Sequence, residues 1–423
     1  MRVASRALVP PLDPRHSAAM DATREAVDLS DPRLFDRGAP HAVFRRLRKE
    51  RPVYWNEESG GTGFWAILRH ADVHAVSSDA ETFSSERRGV MIFDQSYETS
   101  GRARMMIELD PPRHTQLRAL ISRGMTPRAI QQLGGFARKS FAETLDRALE
   151  KGRCDFVDEV AGQLPLQIIA EIVGVPEADR PKLGELAHRI QGFEDPEVEG
   201  SEGQGENAAA IAEMSAYALE LARERRRAPR NDIATAILQP EIEGQSLDDD
   251  AFAAFFLLLI TAGIETTKAA MTGGMLAFTQ HPDQWTRLHE DRAGLPMAIE
   301  EVIRWTTPIH HMRRTATRAT EIGGQPIRED DKVVVWYSSA NRDETVFADP
   351  DRFEIARPTN DHLSFGFGRH FCLGANLARL EMRVVYEALL DRAVEVECVG
   401  EAEYLRSTFT NALKRMPVEL RIV

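Results

Sequence analysis

Ser364-Phe365-Gly366-Phe367-Gly368-Arg369-His370-Phe371-Cys372-Leu373-Gly374 decides the reading of this chain of 423 residues. Gly366, Gly368 and Gly374 flank a single cysteine, and Leu377, Leu380, Val384 and Ala388 follow at a helical spacing. The cysteine is therefore expected in a tight loop against a helix N-terminus, where unpaired N–H groups and the dipole favour negative charge. Such a place is expected to lower a thiol pKa and hold a thiolate. The glycines permit special backbone angles and the close approach of a flat ligand. His370, two residues before the cysteine, is placed to pair with an anion on that ligand. Most lone cysteines are buried and inert, but a Phe-x-x-Gly-x-His-x-Cys-x-Gly pattern is too specific for that reading.

The stretch resembles the haem-binding loop of the cytochrome P450 family, in which the cysteine thiolate is the proximal iron ligand and pushes electron density onto the metal. The match runs position by position, with His370 where many members carry arginine. The resemblance implies haem b as cofactor, Cys372 as its iron ligand, and Phe365, Gly366 and Gly374 shaping the loop around it.

Bulk properties agree with a large soluble protein. The chain is 43% hydrophobic and 28% charged, ordinary for a globular fold. A net charge of −13 argues against general nucleic-acid binding. No apolar run of about eighteen residues suggests a membrane anchor. The segment from Met1 to Leu34 lacks the apolar core of a signal peptide, and residues 1–25 are expected to be disordered. Cys154, Cys372 and Cys398 are widely spaced and odd in number, which points to a reducing cytoplasm without a disulfide framework or zinc site.

Along the chain, Ala42 to Arg51 and Ala71 to Ser78 read as short helices. Val53-Tyr54-Trp55 and Gly63 to Leu68 read as a strand pair across Glu58-Ser59-Gly60-Gly61. Residues 84–107 have no period; Val90-Met91-Ile92-Phe93 is an apolar island suited either to the core or to a loop over a pocket. Pro111 and Pro112 prepare a helix on which His114 and Arg118, at i and i+4, share one face. By resemblance this His-x-x-x-Arg grips a haem propionate. Residues 128–192 read as helical, with Pro165 to Pro176 an apolar helix ending at Gly174. Glu194 to Asn207 is acidic and aperiodic, resembling the loop between two lid helices, and Ala208 to Arg227 is a helix with a solvated basic end.

From the cap-like Ser246-Leu247-Asp248-Asp249, an apolar helix runs to about Thr279, roughly 45 Å at 1.5 Å per residue. A helix apolar on all sides is buried in a large domain. Gly263 and the pair Glu265-Thr266 are anomalous there, since a buried carboxylate is costly unless satisfied; Thr266 could also simply bond the preceding turn. Ala262-Gly263-Ile264-Glu265-Thr266-Thr267 resembles the family's oxygen-activation motif, with Ile264 at an often polar position. Glu301 and Arg304 form a Glu-x-x-Arg pair, and the resemblance gives it Arg352 as third, structural partner. Arg314 matches a propionate-binding arginine, with Arg313 as the alternative. The adjacent His310 and His311 point to opposite faces of a strand, which disfavours a metal site. Leu405 to Asn411 resembles a substrate-contacting loop with Phe409 at its tip.

The resemblance spans residues from about 40 to 423. It implies a mainly α fold with small β-sheets, a single haem domain over residues 26–423, and haem between the long central helix and the cysteine loop. Thr266 and Glu265 are then the catalytic pair, steadying reduced dioxygen and relaying protons to it. His114, Arg118, Arg314 and His370 fix the propionates. Val90, Met91, Ile92, Phe93, Leu258, Leu259, Ala262, Ile309, Met312 and Phe409 are the expected pocket walls, suited to a terpenoid or steroid-like substrate. Electrons are expected from a ferredoxin and a ferredoxin reductase using NADH or NADPH, since no flavin domain is present, and a monomer is expected. Alkyl-aromatic or fatty-acid hydroxylation, a peroxide-driven peroxygenase and a haem-binding sensor are the alternatives.

Overall fold

A helix of 32 residues, Asp249–Gln280, runs through the middle of the molecule. The computed structural model describes residues 27–94, 103–122, 125–199, 205–239 and 247–422, so the expected disordered tail lies outside the described residues. The Asp248 carboxylate caps the central helix by accepting from the Ala251 N–H at 2.7 Å, and Asp249 and Asp250 add charge where the dipole favours it. Four helices pack around it: Gln163–Val173, Arg180–Gln191, Gly205–Arg227 and Leu295–Thr306. Among the described residues this is the one helix long and apolar enough to cross a membrane. Its Phe252, Ile260, Met271 and Phe278 are instead buried in the protein core. Gly263 is explained by one of these crossings. A Cβ there would stand 3.0 Å from the Ile169 side chain, so glycine lets the two helices approach.

A five-stranded sheet lies to one side. Val53–Asn56 pairs antiparallel with Phe64–Ile67 in the expected hairpin. Phe64–Ile67 runs parallel to Lys332–Trp336, which pairs antiparallel with His311–Ala316, and Phe83–Ser84 closes the edge. Val53, Trp65, Ile67, Val333 and Val335 form a separate apolar cluster on this sheet. The outcome is the mainly helical fold with small sheets that the motifs imply.

Three sequence expectations are corrected. Residues 128–192 are not helical throughout. Gly152, at φ 71°, ends the helix Pro127–Lys151, and Arg153–Asp155 becomes a strand paired with Pro417–Ile422. The basic end of Gly205–Arg227 is not wholly solvated. Arg225 is buried, donating to Asp232 at 2.5 Å and to the carbonyl of Gly174, the left-handed cap of Gln163–Val173. The acidic segment after residue 193 is not a free loop either: Pro196–Glu199 is a helical turn, and Glu194 and Asp195 are engaged in hydrogen bonds.

Candidate active site

The cysteine loop and the central helix face each other across a cavity of about 630 Å³. The Cys372 N–H donates to the Phe365 carbonyl at 2.8 Å, and the Gly366 N–H to the Leu363 carbonyl at 2.8 Å, which folds the loop back on itself. Gly368 is obligatory: its φ is 69°, and a Cβ would sit 2.4 Å from the Ser77 carbonyl oxygen. The helix Ala375–Asp391 starts directly after Gly374. Cys372 keeps an exposed surface, and that surface lines the cavity. Burial within the fold pushes its thiol pKa up, although the Gly374 N–H and the nearby Arg118 and Arg379 pull it down. The expected lowering is thus outweighed by desolvation. A metal coordinated at Cys372 would deprotonate the thiol outright.

Behind the loop lies a buried ionic network. Arg304 grips Glu301 with two bonds of 2.8 Å, both side chains being fully buried. The third partner is Arg357, donating to Glu301 at 3.1 Å, and not Arg352. The Arg352 side chain is 64% exposed and pairs with Glu354, while its backbone carbonyl accepts from Arg357 at 2.8 Å. Asn341 carries the order forward by donating to Ser364 Oγ and accepting from the Leu363 N–H, at 2.8 and 2.7 Å. Glu300, next to Glu301, binds Arg379 at 2.6 Å and His362 at 3.1 Å. Burial opposes its charge, but these donors outweigh it and hold the Glu300 carboxyl at about 2. The arginine also lies over the Phe365 ring, at 4.6 Å. Sequence reading missed Asn341, Glu300 and Arg379; only the place of Arg379 one turn inside the post-cysteine helix hinted at a role.

The opposite wall is a stripe. Leu258, Ala262 and Thr266, each four residues apart, line the cavity from an otherwise buried helix. The Thr266 hydroxyl donates to the Ala262 carbonyl at 2.6 Å, the bond to the preceding turn that its sequence context allowed. Glu265 does not line the cavity. It is buried behind the stripe, bonded to Lys268 Nζ at 2.8 Å, with His188 Nδ1 3.8 Å away. Burial penalises its charge, yet Lys268 and His188 prevail and hold the carboxyl at about 2.

One end of the cavity gathers cationic and imidazole groups. His114, Arg118, Arg314 and His370 all line it. The His114 and His370 rings lie 4.3 Å apart, and His370 Nε2 meets Ser85 Oγ at 3.2 Å. Burial, then Arg314 and His114, push His370 down to about 2, which favours the neutral imidazole. Arg118 donates to the Phe371 carbonyl at 2.6 Å. Strand alternation decides between the two adjacent arginines: Arg313 turns to Asp94 at 2.7 Å, and Arg314 turns inward. Arg314 is 4% exposed and, among the described residues, has no carboxylate within salt-bridge distance. His114 Nδ1 is buried without a hydrogen-bond partner.

Of the expected substrate walls, Val90, Met91, Phe93, Leu258, Leu259, Ala262, Ile309, Met312 and Phe409 line the cavity. Ile92 does not; it is buried in an apolar cluster with Phe35, Phe44 and Trp336. Sequence reading missed Phe193, whose ring meets Phe93 edge-on at 5.7 Å. His310 and His311 are both buried, and desolvation lowers each to about 3. His310 Nδ1 bonds Ser338 at 2.7 Å, and the described residues hold no cluster of three metal-binding side chains.

A buried arginine with no carboxylate partner among the described residues, an orphaned imidazole nitrogen and a cysteine facing a helix stripe across one cavity suit a flat, dianionic, metal-bearing cofactor. The fold and the site together define a haem-thiolate protein. The family model "Cytochrome P450" matches residues 204–403. The steroid C26-monooxygenase of Rhodococcus jostii is 38% identical over 431 residues, covering 99% of this chain and 90% of the relative. The linalool 8-monooxygenase of Pseudomonas putida is 38% identical, covering 94% of this chain and 99% of the relative. A Mycobacterium marinum cytochrome P450 in complex with pseudoionone superposes with a TM-score of 0.87 at 35% identity, over 93% of this chain and 98% of that one. The chain belongs to the cytochrome P450 family and is a P450 monooxygenase.

Proposed function

We propose that this enzyme inserts one oxygen atom of dioxygen into a C–H bond of a bulky terpenoid or steroid-like molecule, using electrons from a separate ferredoxin and its reductase. The observation that carries the substrate class is the distribution of charge in the cavity. Among the described residues, its arginines are Arg118 and Arg314, both at the cofactor end, and no lysine lines it. Among the described residues no further cation lines the cavity to anchor a fatty-acid carboxylate. The walls at Val90, Phe93, Ile309, Met312 and Phe409 are apolar, with Asp94, Gln191 and Asn207 as polar members of the lining, so binding rests mainly on buried area at about 25 cal/mol per Å². The steroid and linalool monooxygenases among the relatives support the same class.

Cys372 would hold the iron of haem b, while Arg118, Arg314, His114 and His370 would receive its carboxylates. Bound haem supplies the activation of dioxygen, which its thiolate ligand favours. The chain's own residues supply the protons and exclude water. Thr266 presents its hydroxyl to the cavity beside Ala262. Glu265 is ionised one residue away and lies 3.8 Å from His188, which is 40% exposed and so connects the buried acid with solvent. A turn of the Glu265 side chain away from Lys268 would remove the charge that keeps it ionised, so that it could take up a proton from solvent by way of His188 and pass it to the Thr266 side of the cavity. This acid–hydroxyl pair speaks against a peroxygenase, and a haem sensor would have no use for it.

A haem spin-state titration against steroids, terpenoids, alkyl aromatics and fatty acids tests the substrate class. Steroids or terpenoids should give the largest low-to-high-spin shift. Tight binding of a charged or small polar ligand, with no response to any terpenoid or steroid, would overturn it.

A further inference from the structure

Two walls of the cavity that lie more than 200 residues apart in sequence are tied together by carboxylates. Phe193 and Phe409 both line the cavity. Beside Phe193, Glu194 accepts from the Thr408 N–H at 2.7 Å, from Thr408 Oγ1 at 2.8 Å and from Ser407 Oγ at 3.0 Å. Asp195, 2% exposed, accepts from the Arg406 N–H at 2.9 Å and pairs with Lys414 at 3.2 Å. Thr410 Oγ1 adds a 3.3 Å bond to Gln191. Within the second wall, Ser407 Oγ accepts from the Phe409 and Thr410 N–H groups at 3.1 and 3.0 Å, so Glu194 holds the hydroxyl that shapes the turn bearing Phe409.

We infer that Glu194 and Asp195 form a clasp that sets how long a molecule stays in the cavity, by joining the Gln191–Glu199 segment to the Arg406–Thr410 loop. A ligand that leaves past Phe193 and Phe409 must part the two segments, and parting them breaks charge-assisted bonds that water replaces only in part. Glu194 is a positioning residue: it places Phe409 through Ser407 and Thr408 and lies outside the group of residues proposed for the chemistry. The inference rests on the proposed cavity reading but on no particular substrate.

Two measurements on the haem-loaded protein and its Glu194→Ala, Thr408→Val and double variants test it. The first follows dissociation of 4-phenylimidazole by stopped-flow absorbance. Glu194→Ala, which removes three accepted bonds, should release the probe at least roughly tenfold faster, the factor for even one charge-assisted bond. Thr408→Val should add little once Glu194 is gone, whereas two independent contacts would give multiplying effects. The second follows amide hydrogen exchange, where the Arg406 and Thr408 N–H groups should lose protection in Glu194→Ala while the central helix keeps its own. Unchanged release with unchanged exchange would overturn the clasp, as would faster exchange without faster release. Failure of the probe to perturb the haem spectrum of the parent protein would instead reject the cavity reading, and the exchange data would then decide alone whether the two segments are clasped.

Discussion

The two walls of the cavity are built on opposite principles. The cysteine side is anchored by directional bonds: Glu301 with Arg304 and Arg357, Glu300 with Arg379, and Asn341 with Ser364. The facing wall of the central helix is a stripe of Leu258, Ala262 and Thr266, with Glu265 paired to Lys268 and facing His188 behind it. An ionic lattice fixes one geometry, because each bond lost leaves a buried charge; apolar packing fills space and tolerates variation. Cys372, the proposed metal ligand, thus sits on the rigid wall, and the proposed substrate would meet the adaptable one. Such a division lets one chemistry be kept while the shape of the substrate changes.

Removing the anchor itself gives the largest effect. Cys372→Ser should leave a folded or partly folded protein with no thiolate-ligated haem. The reduced carbon-monoxide spectrum checks it, and a retained thiolate signature would refute the assignment of the ligand. The lattice behind it is tested by contrast. Glu301→Gln leaves Arg304 and Arg357 buried with a weakened partner and should cost roughly 3–5 kcal/mol, with loss of haem. Arg352→Ala should stay within about 0.5 kcal/mol, because its side chain is exposed and only its carbonyl serves the network. Urea unfolding of the two variants separates these expectations; equal losses would restore Arg352 as the third partner.

Legibility in the sequence follows the same division. The cysteine loop and the Leu258–Ala262–Thr266 stripe are local patterns, and a local pattern survives folding because its spacing is the structure. The partner of Glu301 is different. Arg352 and Arg357 both follow within a short irregular stretch, and only the path of that stretch decides which guanidinium turns inward. Ile92 fails for a related reason: an aperiodic segment gives no parity from which to infer the facing side, and this residue turns toward Phe35 and Trp336 while its neighbours meet the cavity. Glu194 opened an acidic, aperiodic segment with no partner in view, because its donors lie beyond residue 400, where no spacing rule reaches. Arg225 likewise finds Asp232 and the Gly174 carbonyl only after three helices have packed.

On the adaptable wall, Thr266→Ala should bind haem and substrate as before. It should lower product formed per NADH consumed severalfold, with the missing electrons recovered as hydrogen peroxide. The Thr266–Ala262 bond makes this a sharp test: if that bond were the whole role of the hydroxyl, the ratio would not move.

The smallest expected effect concerns the outer surface of the rigid wall, where an electron donor would reach the cysteine loop by the shortest path. The sequence shows six arginines between residues 102 and 128. Arg102 and Arg123 lie outside the described residues, and the side chain of Arg128 is likewise not described. Arg118 faces the cavity, and Arg104 is tied to the Glu86 carbonyl at 2.5 Å. Arg113 remains as an exposed member, and Arg369 in the cysteine loop joins it beside the exposed Phe367 and Phe371. Cations around an apolar centre suit an acidic ferredoxin, with charge governing encounter more than final affinity. Arg113→Glu should therefore slow the first electron transfer a few-fold at low salt. The difference should shrink as ionic strength shortens the Debye length to about 8 Å. The rate at saturating donor should change little, because the charge acts before contact. Stopped-flow reduction across a salt series reads all three features, and a rate that ignores both the substitution and the salt would move the docking site to another face.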